Sequence, residues 1–341
     1  MSGSEEGVVL ALMGGVCVGN CMLPLKRIRA WPWECTWLVF SVVSLILVPC
    51  LIAYFVIPDW PHLYIALPPA AWLPSFLLGA GWGVAQVLFG ISVVRLGMSL
   101  AFTLIVGLGT IFGALIPLVT LHRSELFSRN SGVLMAGCGI MCLGIVLSGV
   151  GGKMRERSTT ADEASRSVPL VPEGAYLAAL AIAVLSGVLS SMLNLSLAFG
   201  GPIAQAAAHS GADASTVSFA VWPVALGGGF VPNFAYTAWL LSKNGSWKLL
   251  RHGVHDALLS ILMGMLWIGA VAIYGVSTRY LGRLGDSAGW AIYQIAMVLT
   301  ASIGGVMAGE WRGASRRSLA ALSLGVLVLI LATVTTAFST R

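Results

Sequence analysis

The sequence predicts an all-α polytopic membrane protein: ten transmembrane helices arranged as two inverted five-helix repeats. Three observations predict it. Mean hydropathy is +0.90, with 57% hydrophobic and only 9% charged residues, whereas an ordinary soluble domain carries about 25% charge. Ten separate apolar runs approach or exceed the roughly 20 residues needed to cross a bilayer. A phrase also recurs: Gly79-x2-Trp82-x6-Phe89-Gly90-x5-Leu96-Gly97 returns 185 residues downstream as Gly264-x2-Trp267-x6-Tyr274-Gly275-x5-Leu281-Gly282. Repetition of this kind within apolar sequence marks a duplicated bundle, with its site where the halves meet.

The runs can be justified in order. The first, 7–25, follows a segment (Met1 to Glu6) without the positive region of a signal peptide, so it is expected to be retained as a helix. The second is 34–57. The third and fourth, 72–95 and 97–121, hold the first copy of the phrase. The fifth, 132–152, ends at Lys153-Met-Arg-Glu-Arg157. The sixth, 174–198, includes Asn194. The seventh, 214–241, is the least regular, with Pro223, Gly227-Gly228-Gly229 and Pro232-Asn233. The eighth and ninth, 254–277 and 285–309, hold the second copy, and the tenth is 318–338. Residues 1–152 therefore form the first repeat, 153–173 a polar linker and 174–341 the second repeat. Five helices per repeat is an odd number, so the second copy is inserted upside down relative to the first.

Charge supplies an orientation. Of the 19 Lys and Arg residues, 14 fall in one set of alternate loops, from Lys26 to Arg317; the other set, with both termini, holds Arg123, Arg129, Arg279, Arg283 and Arg341. The positive-inside rule places the first set and the linker in the cytoplasm and both termini outside. The net charge of +6 sits in short loops, which excludes a nucleic-acid partner; the lipid bilayer is the expected surroundings. The six cysteines lie in or beside apolar runs. Cys17/Cys21 and Cys138/Cys142 have helical spacing but no neighbouring His or carboxylate, so they read as small packing residues and no metal or other cofactor is expected.

No Lys or Arg lies inside an apolar run. A carrier of strongly anionic solutes would keep a buried cation, because an unpaired anion in low dielectric is prohibitively costly; the substrate is therefore expected to be neutral. In place of charges stand Asn20, Gln86, Asn194, Asn233 and Gln294 with Trp82, Trp267, Tyr274, Trp290 and Tyr293. Amides match sugar hydroxyls as donors and acceptors, and flat rings pack on a pyranose face. Each amide reads equally as an interhelical hydrogen-bonding group, and Tyr274 and Trp290 also suit an interfacial aromatic belt. In the seventh run, the glycines and Pro232 predict unwinding or a kink at a hinge or site, with close packing as the alternative. Proton coupling requires a titratable group. Asp286, with Trp290 one turn away, is the first candidate; His255, beside Asp256, is the second; Glu34, which also suits a helix N-terminus, is the third.

Several of these residues carry a resemblance. Pro24-Leu-Lys26-x4-Trp31-Pro-Trp33-Glu34, Gly79-x2-Trp82-Gly83, Arg95-Leu-Gly-Met-Ser99, Leu266-Trp267, Asp286-x3-Trp290 and Glu310-Trp311-x2-Ala314-x-Arg316-Arg317 resemble, nearly end to end, the L-rhamnose–proton symporter family of the drug/metabolite transporter superfamily. The resemblance implies import of a 6-deoxyhexose by proton symport across a bacterial inner membrane. It highlights Glu34, Trp82, Asn194, Asn233, His255, Asp286, Trp290 and Glu310. The chain departs from the family pattern at Ile268-Gly-Ala-Val-Ala272, which is smaller and less polar, and at Asp256, in place of an uncharged neighbour of the histidine.

Two other readings compete. An exporter or exchanger of another small neutral metabolite would share the fold. A membrane enzyme would need clustered acids, His or Cys at one face, usually held by a large loop; the longest polar loop here is the linker. No Gly-Lys-Ser/Thr nucleotide motif occurs, so an uphill carrier of this sequence must use an ion gradient.

Overall fold

The computed structural model describes residues 3–96, 98–163, 173–214, 216–282, 285–307, 309 and 311–339. Among them there is no strand, and ten helical segments are long and apolar enough to cross a membrane: spans 1 to 10 are Gly3–Arg27, Trp33–Val56, Pro69–Val93, Ala101–Thr120, Arg129–Arg155, Tyr176–His209, Val217–Asn244, Val254–Tyr280, Gly285–Met307 and Arg316–Phe338. Each expected run thus coincides with one span. A helix that meets lipid satisfies all its backbone groups internally, so hydropathy alone locates such elements. Ten spans that each cross once put the loops after odd-numbered spans on one face, called here the basic face, and the loops after even-numbered spans, with residues 3 and 339, on the other, the terminal face.

Span 3 packs on spans 6 and 7, span 1 on spans 8 and 9, span 4 on spans 5, 6 and 9, span 2 on spans 7 and 8, and span 10 on spans 5 and 9. Small residues decide how closely they approach. A Cβ on Gly79 would lie 1.8 Å from the Ala225 carbonyl oxygen, and one on Gly228 would lie 2.0 Å from that of Phe76. Only glycines permit that crossing of spans 3 and 7.

Span 7 corrects one expectation. It is not unwound: a single α-helix runs over Trp222–Asn244 through all three glycines and Pro232. Pro232 withholds the N–H that would bond the Gly228 carbonyl, and next to it Asn233 Nδ2 donates to Gly229 O at 2.9 Å. Gly228 and Gly229 are spent on close packing, against span 3 and the Trp82 ring respectively, whereas nothing lies within 4 Å of a Cβ on Gly227.

The irregular helices lie elsewhere. Span 6 is divided into Glu173–Ser190, Met192–Ala198 and Gly201–His209, with Asn194 in the short middle piece. Span 2 contains a π-helical stretch, Val42–Leu47, beside Gly264 of span 8. Past the apolar part of span 5, the helix continues through Glu163, so the start of the expected linker is helical. The rest of it through Val171 and Pro172, with Arg166, lies outside the described residues, as does Glu310.

Candidate functional site

The centre of the bundle is an aromatic layer. Trp82 of span 3 and Trp267 of span 8 stack with ring centroids 5.5 Å apart and planes inclined by 23°. Phe40 of span 2 meets Trp267 edge-on at 6.2 Å and Trp37 at 4.9 Å. Trp37 Nε1 donates to Asn233 Oδ1 at 3.0 Å. Gln86, half-buried, is one turn along span 3 from Trp82 and shares its face.

Two turns along span 8, about 10 Å toward the terminal face, lies a second layer. Tyr274, Trp290 and Tyr293 form a triangle with centroid separations of 5.0, 5.6 and 5.9 Å. The Tyr274 hydroxyl donates to Asn194 Oδ1. Asn194 Nδ2 reaches Gly113 O at 2.8 Å and the Asp286 backbone oxygen at 3.0 Å, and Trp290 Nε1 donates to Gly109 O at 3.2 Å. Span 4 contributes through missing side chains: a Cβ on Gly113 would lie 2.2 Å from Trp290 Nε1. Gln294 Nε2 faces Thr110 Oγ1 at 3.4 Å.

Asp286 borders this layer at the start of span 9. Its carboxylate accepts from Ser287 N at 2.9 Å, and its two oxygens lie 3.1 and 3.2 Å from His122 Nε2. The side chains are 17% and 25% exposed, so the pair is half-sheltered rather than sealed. The sequence reading missed His122, whose carboxylate partner is 164 positions away along the chain. It also missed Gly109 and Gly113, although their small-x3-small spacing is a helix-contact signal.

The other two coupling candidates lie elsewhere, on the basic face. Glu34 is buried and accepts from Asn244 Nδ2 at 2.9 Å and Ser246 Oγ at 2.8 Å. Asp256 accepts backbone N–H groups of Ala30 at 2.8 Å, Trp31 at 3.0 Å and Arg29 at 3.5 Å. Trp31 Nε1 donates to His252 O and Leu249 O at 2.7 and 3.1 Å. Together they tie the loop after span 1 to the loop after span 7. His255 touches this clamp through Nδ1, 3.1 Å from Asp256 Oδ1, while its ring is 68% exposed. Asp256 therefore serves as a loop anchor.

The named site residues thus fall into a central group (Trp82, Trp267, Asn233 and Gln86), an outer group (Tyr274, Asn194, Trp290, Gln294 and Asp286), and a remote pair (Glu34 and His255). The amides are largely spent within the protein: both ends of Asn194 and of Asn233 have protein partners, and Asn20 donates to its own helix at Val16 O. Among the described residues, no three His, Cys, Asp or Glu side chains are placed to hold a metal ion.

A ten-span helical bundle of this kind, with a half-sheltered acid–imidazole pair beside one interior layer, is the architecture of a multi-pass membrane protein, and its family is one of symport carriers rather than enzymes. The chain belongs to the L-rhamnose-proton symport protein family, whose profile matches residues 3–339. It is 27% identical over 340 residues to an L-rhamnose-proton symporter of Escherichia coli O1:K1, and 29% identical over 335 residues to one of Cronobacter sakazakii. Each alignment covers 96% of this chain and 95% of the relative.

Proposed function

We propose that this protein imports a neutral 6-deoxyhexose, L-rhamnose or a close analogue, together with protons across the bacterial inner membrane. The observation that carries the sugar reading is the Trp82–Trp267 stack at the meeting point of spans 2, 3, 7 and 8, in an interior without Lys or Arg. Flat apolar rings match the C–H face of a pyranose, and spans without an internal Lys or Arg favour a solute that is not anionic. Family membership supplies the sugar and the coupling ion.

The proposed coupling group is Asp286, with His122 as its partner. A coupling group must exchange a proton with solvent and yet sense the substrate. The carboxylate is 17% exposed, while the Asp286 backbone oxygen is bonded to Asn194 beside the aromatic triangle. We further read residues 1–152 and 174–341 as inverted repeats joined by a cytoplasmic linker, with both termini periplasmic. Helix pairing supports this, because exchanging span n for span n+5 maps the 3–7 contact onto 8–2, the 1–9 contact onto 6–4, the 1–8 contact onto 6–3 and the 4–5 contact onto 9–10.

Uptake of labelled L-rhamnose into proteoliposomes tests the function. The expected result is accumulation under an inward proton gradient, abolished by a protonophore. Saturable L-rhamnose movement that is indifferent to the gradient would retain the carrier and remove the symport; absence of L-rhamnose movement would remove the sugar.

A further inference from the structure

Asn194 and Asn233, two of the amides that suggested sugar recognition, are occupied by protein, so hydrogen-bonding capacity left unspent in the interior is a further guide to where a hydroxylated ligand is held. A buried donor without an acceptor is destabilising, and native structures keep few of them without a reason. Ser218 Oγ and Trp222 Nε1 are both without a partner, on side chains that are 4% and 2% exposed. They lie four residues apart where the 3-10 turn Val217–Ala220 passes into the helix of span 7. Both face the same spot on span 8: a Cβ on Gly275 would lie 3.1 Å from Trp222 Nε1 and 3.8 Å from Ser218 Oγ. Gly275 adjoins Tyr274 and belongs to the repeated phrase.

Other unpartnered hydroxyls carry less weight. Ser148 and Thr336 sit against glycines in the contact of spans 5 and 10, away from both aromatic layers, and a helical hydroxyl can turn toward a carbonyl of its own helix. An indole N–H is a donor only and cannot be re-aimed without moving the ring. The segment bearing Trp222 is also fixed, because Tyr64 OH donates to Ala220 O at 2.6 Å. Burial pushes the Tyr64 phenol up from its ordinary value, so it stays protonated as that donor.

We propose that Trp222 and Ser218 are specificity-determining residues of the carrier, receiving a sugar hydroxyl beside Gly275 on the terminal-face side of the aromatic layers. This rests on the neutral-sugar reading above. The indole donates to a hydroxyl oxygen; the serine donates to or accepts from the same or a neighbouring hydroxyl.

The test uses the full-length protein and the variants W222F and S218A, with L-rhamnose as the probe in both equilibrium binding and proteoliposome exchange. S218A deletes only an unspent polar group, so its sugar-free melting temperature should stay level or rise, whereas W222F also shrinks a buried ring and should lower it by the cavity left behind. The Kd and the exchange KM should rise about 3- to 10-fold per variant, the effect of one lost hydrogen bond, with the maximal exchange rate kept. A structural role for the hydroxyl would instead lower the sugar-free melting temperature of S218A, and that result overturns the proposal. So does wild-type affinity in both variants. Wild-type protein that does not bind L-rhamnose overturns the sugar reading and this inference together, whereas wild-type binding that both variants retain unchanged overturns the inference alone.

Discussion

Trp82 and Trp267 stack on each other at the centre of the bundle, and they are equivalent residues of a phrase repeated 185 positions apart. In a pseudo-two-fold arrangement, residues close to the axis meet their own counterparts, and few others do. Under the inverted repeat proposed above, this pair marks the point where the two copies of the phrase meet. It also places four glycines nearby: Gly79 and Gly83 of span 3 are pressed against span 7, and Gly229 of span 7 lies against the Trp82 ring, with Gly228 one residue away. A carrier that rocks one repeat against the other about such an axis would hold its solute in this layer.

The stack should be measurable as a coupling. Trp82→Leu and Trp267→Leu are each expected to lower the unfolding midpoint, and the double variant should lose about 0.5–1.5 kcal/mol less than the two losses together. A double-mutant cycle on the purified protein checks this; strict additivity would mean that the rings are neighbours without a specific interaction.

Adjacent glycines of span 7 should behave in opposite ways. Gly228→Ala puts a methyl against the Phe76 carbonyl and is expected to cost about 1–3 kcal/mol of overpacking, with transport reduced. Gly227→Ala meets nothing within 4 Å and should leave the melting temperature level or raise it, since alanine is the better helix former. Equal tolerance at both positions would show that spans 3 and 7 do not cross there during most of the transport cycle.

Anchoring of the loop after span 1 should depend on Asp256. Asp256→Ala leaves the N–H groups of Ala30 and Trp31 without their acceptor, and the expected result is a fall of several degrees in melting temperature and faster proteolysis within residues 26–31. His255→Gln, which changes an exposed ring beside that carboxylate, should do neither. If His255→Gln abolishes gradient-driven uptake in an otherwise stable protein, the basic face takes part in coupling after all.

The ten spans were legible because lipid demands an unbroken apolar window, and each window is a local property of the chain. Partnerships were not. Asn194 and Asn233 advertise donors and acceptors, yet whether a sugar or a carbonyl takes them depends on Gly113, Asp286 and Gly229, which only folding brings near. The triple glycine of span 7 predicts unwinding or a kink as readily as close crossing, because glycine favours all of these; the crossing partners, Gly79 and Gly83, are some 150 residues away. Glu34 stands in the first turn of its helix, as a carboxylate at a helix N-terminus does, and it is also a clamp, since its partners Asn244 and Ser246 lie at the end of span 7 and just beyond it. Membrane sidedness rests on the charge split alone. Reporter fusions at Arg166 and after Arg341 are expected to read cytoplasmic and periplasmic respectively, and the same sidedness for both would remove both the orientation and the inverted repeat.

Asp286 is where substrate and proton are proposed to meet. Asn at this position keeps the shape and an oxygen that can still accept from Ser287 N, and it leaves the backbone oxygen held by Asn194 in place. It removes the titrating group and the carboxylate that faces His122. Asp286→Asn is therefore expected to lose accumulation of L-rhamnose against its gradient while retaining sugar-for-sugar exchange, because exchange needs the binding layer but no net proton movement. His122→Gln removes only the partner and should slow proton-driven uptake more than exchange. Both are read in proteoliposomes by labelled sugar and an internal pH dye. If the Asn variant still accumulates sugar and acidifies the vesicle interior alongside it, the proton travels by another group, and Glu34 on the basic face becomes the next carboxylate to replace.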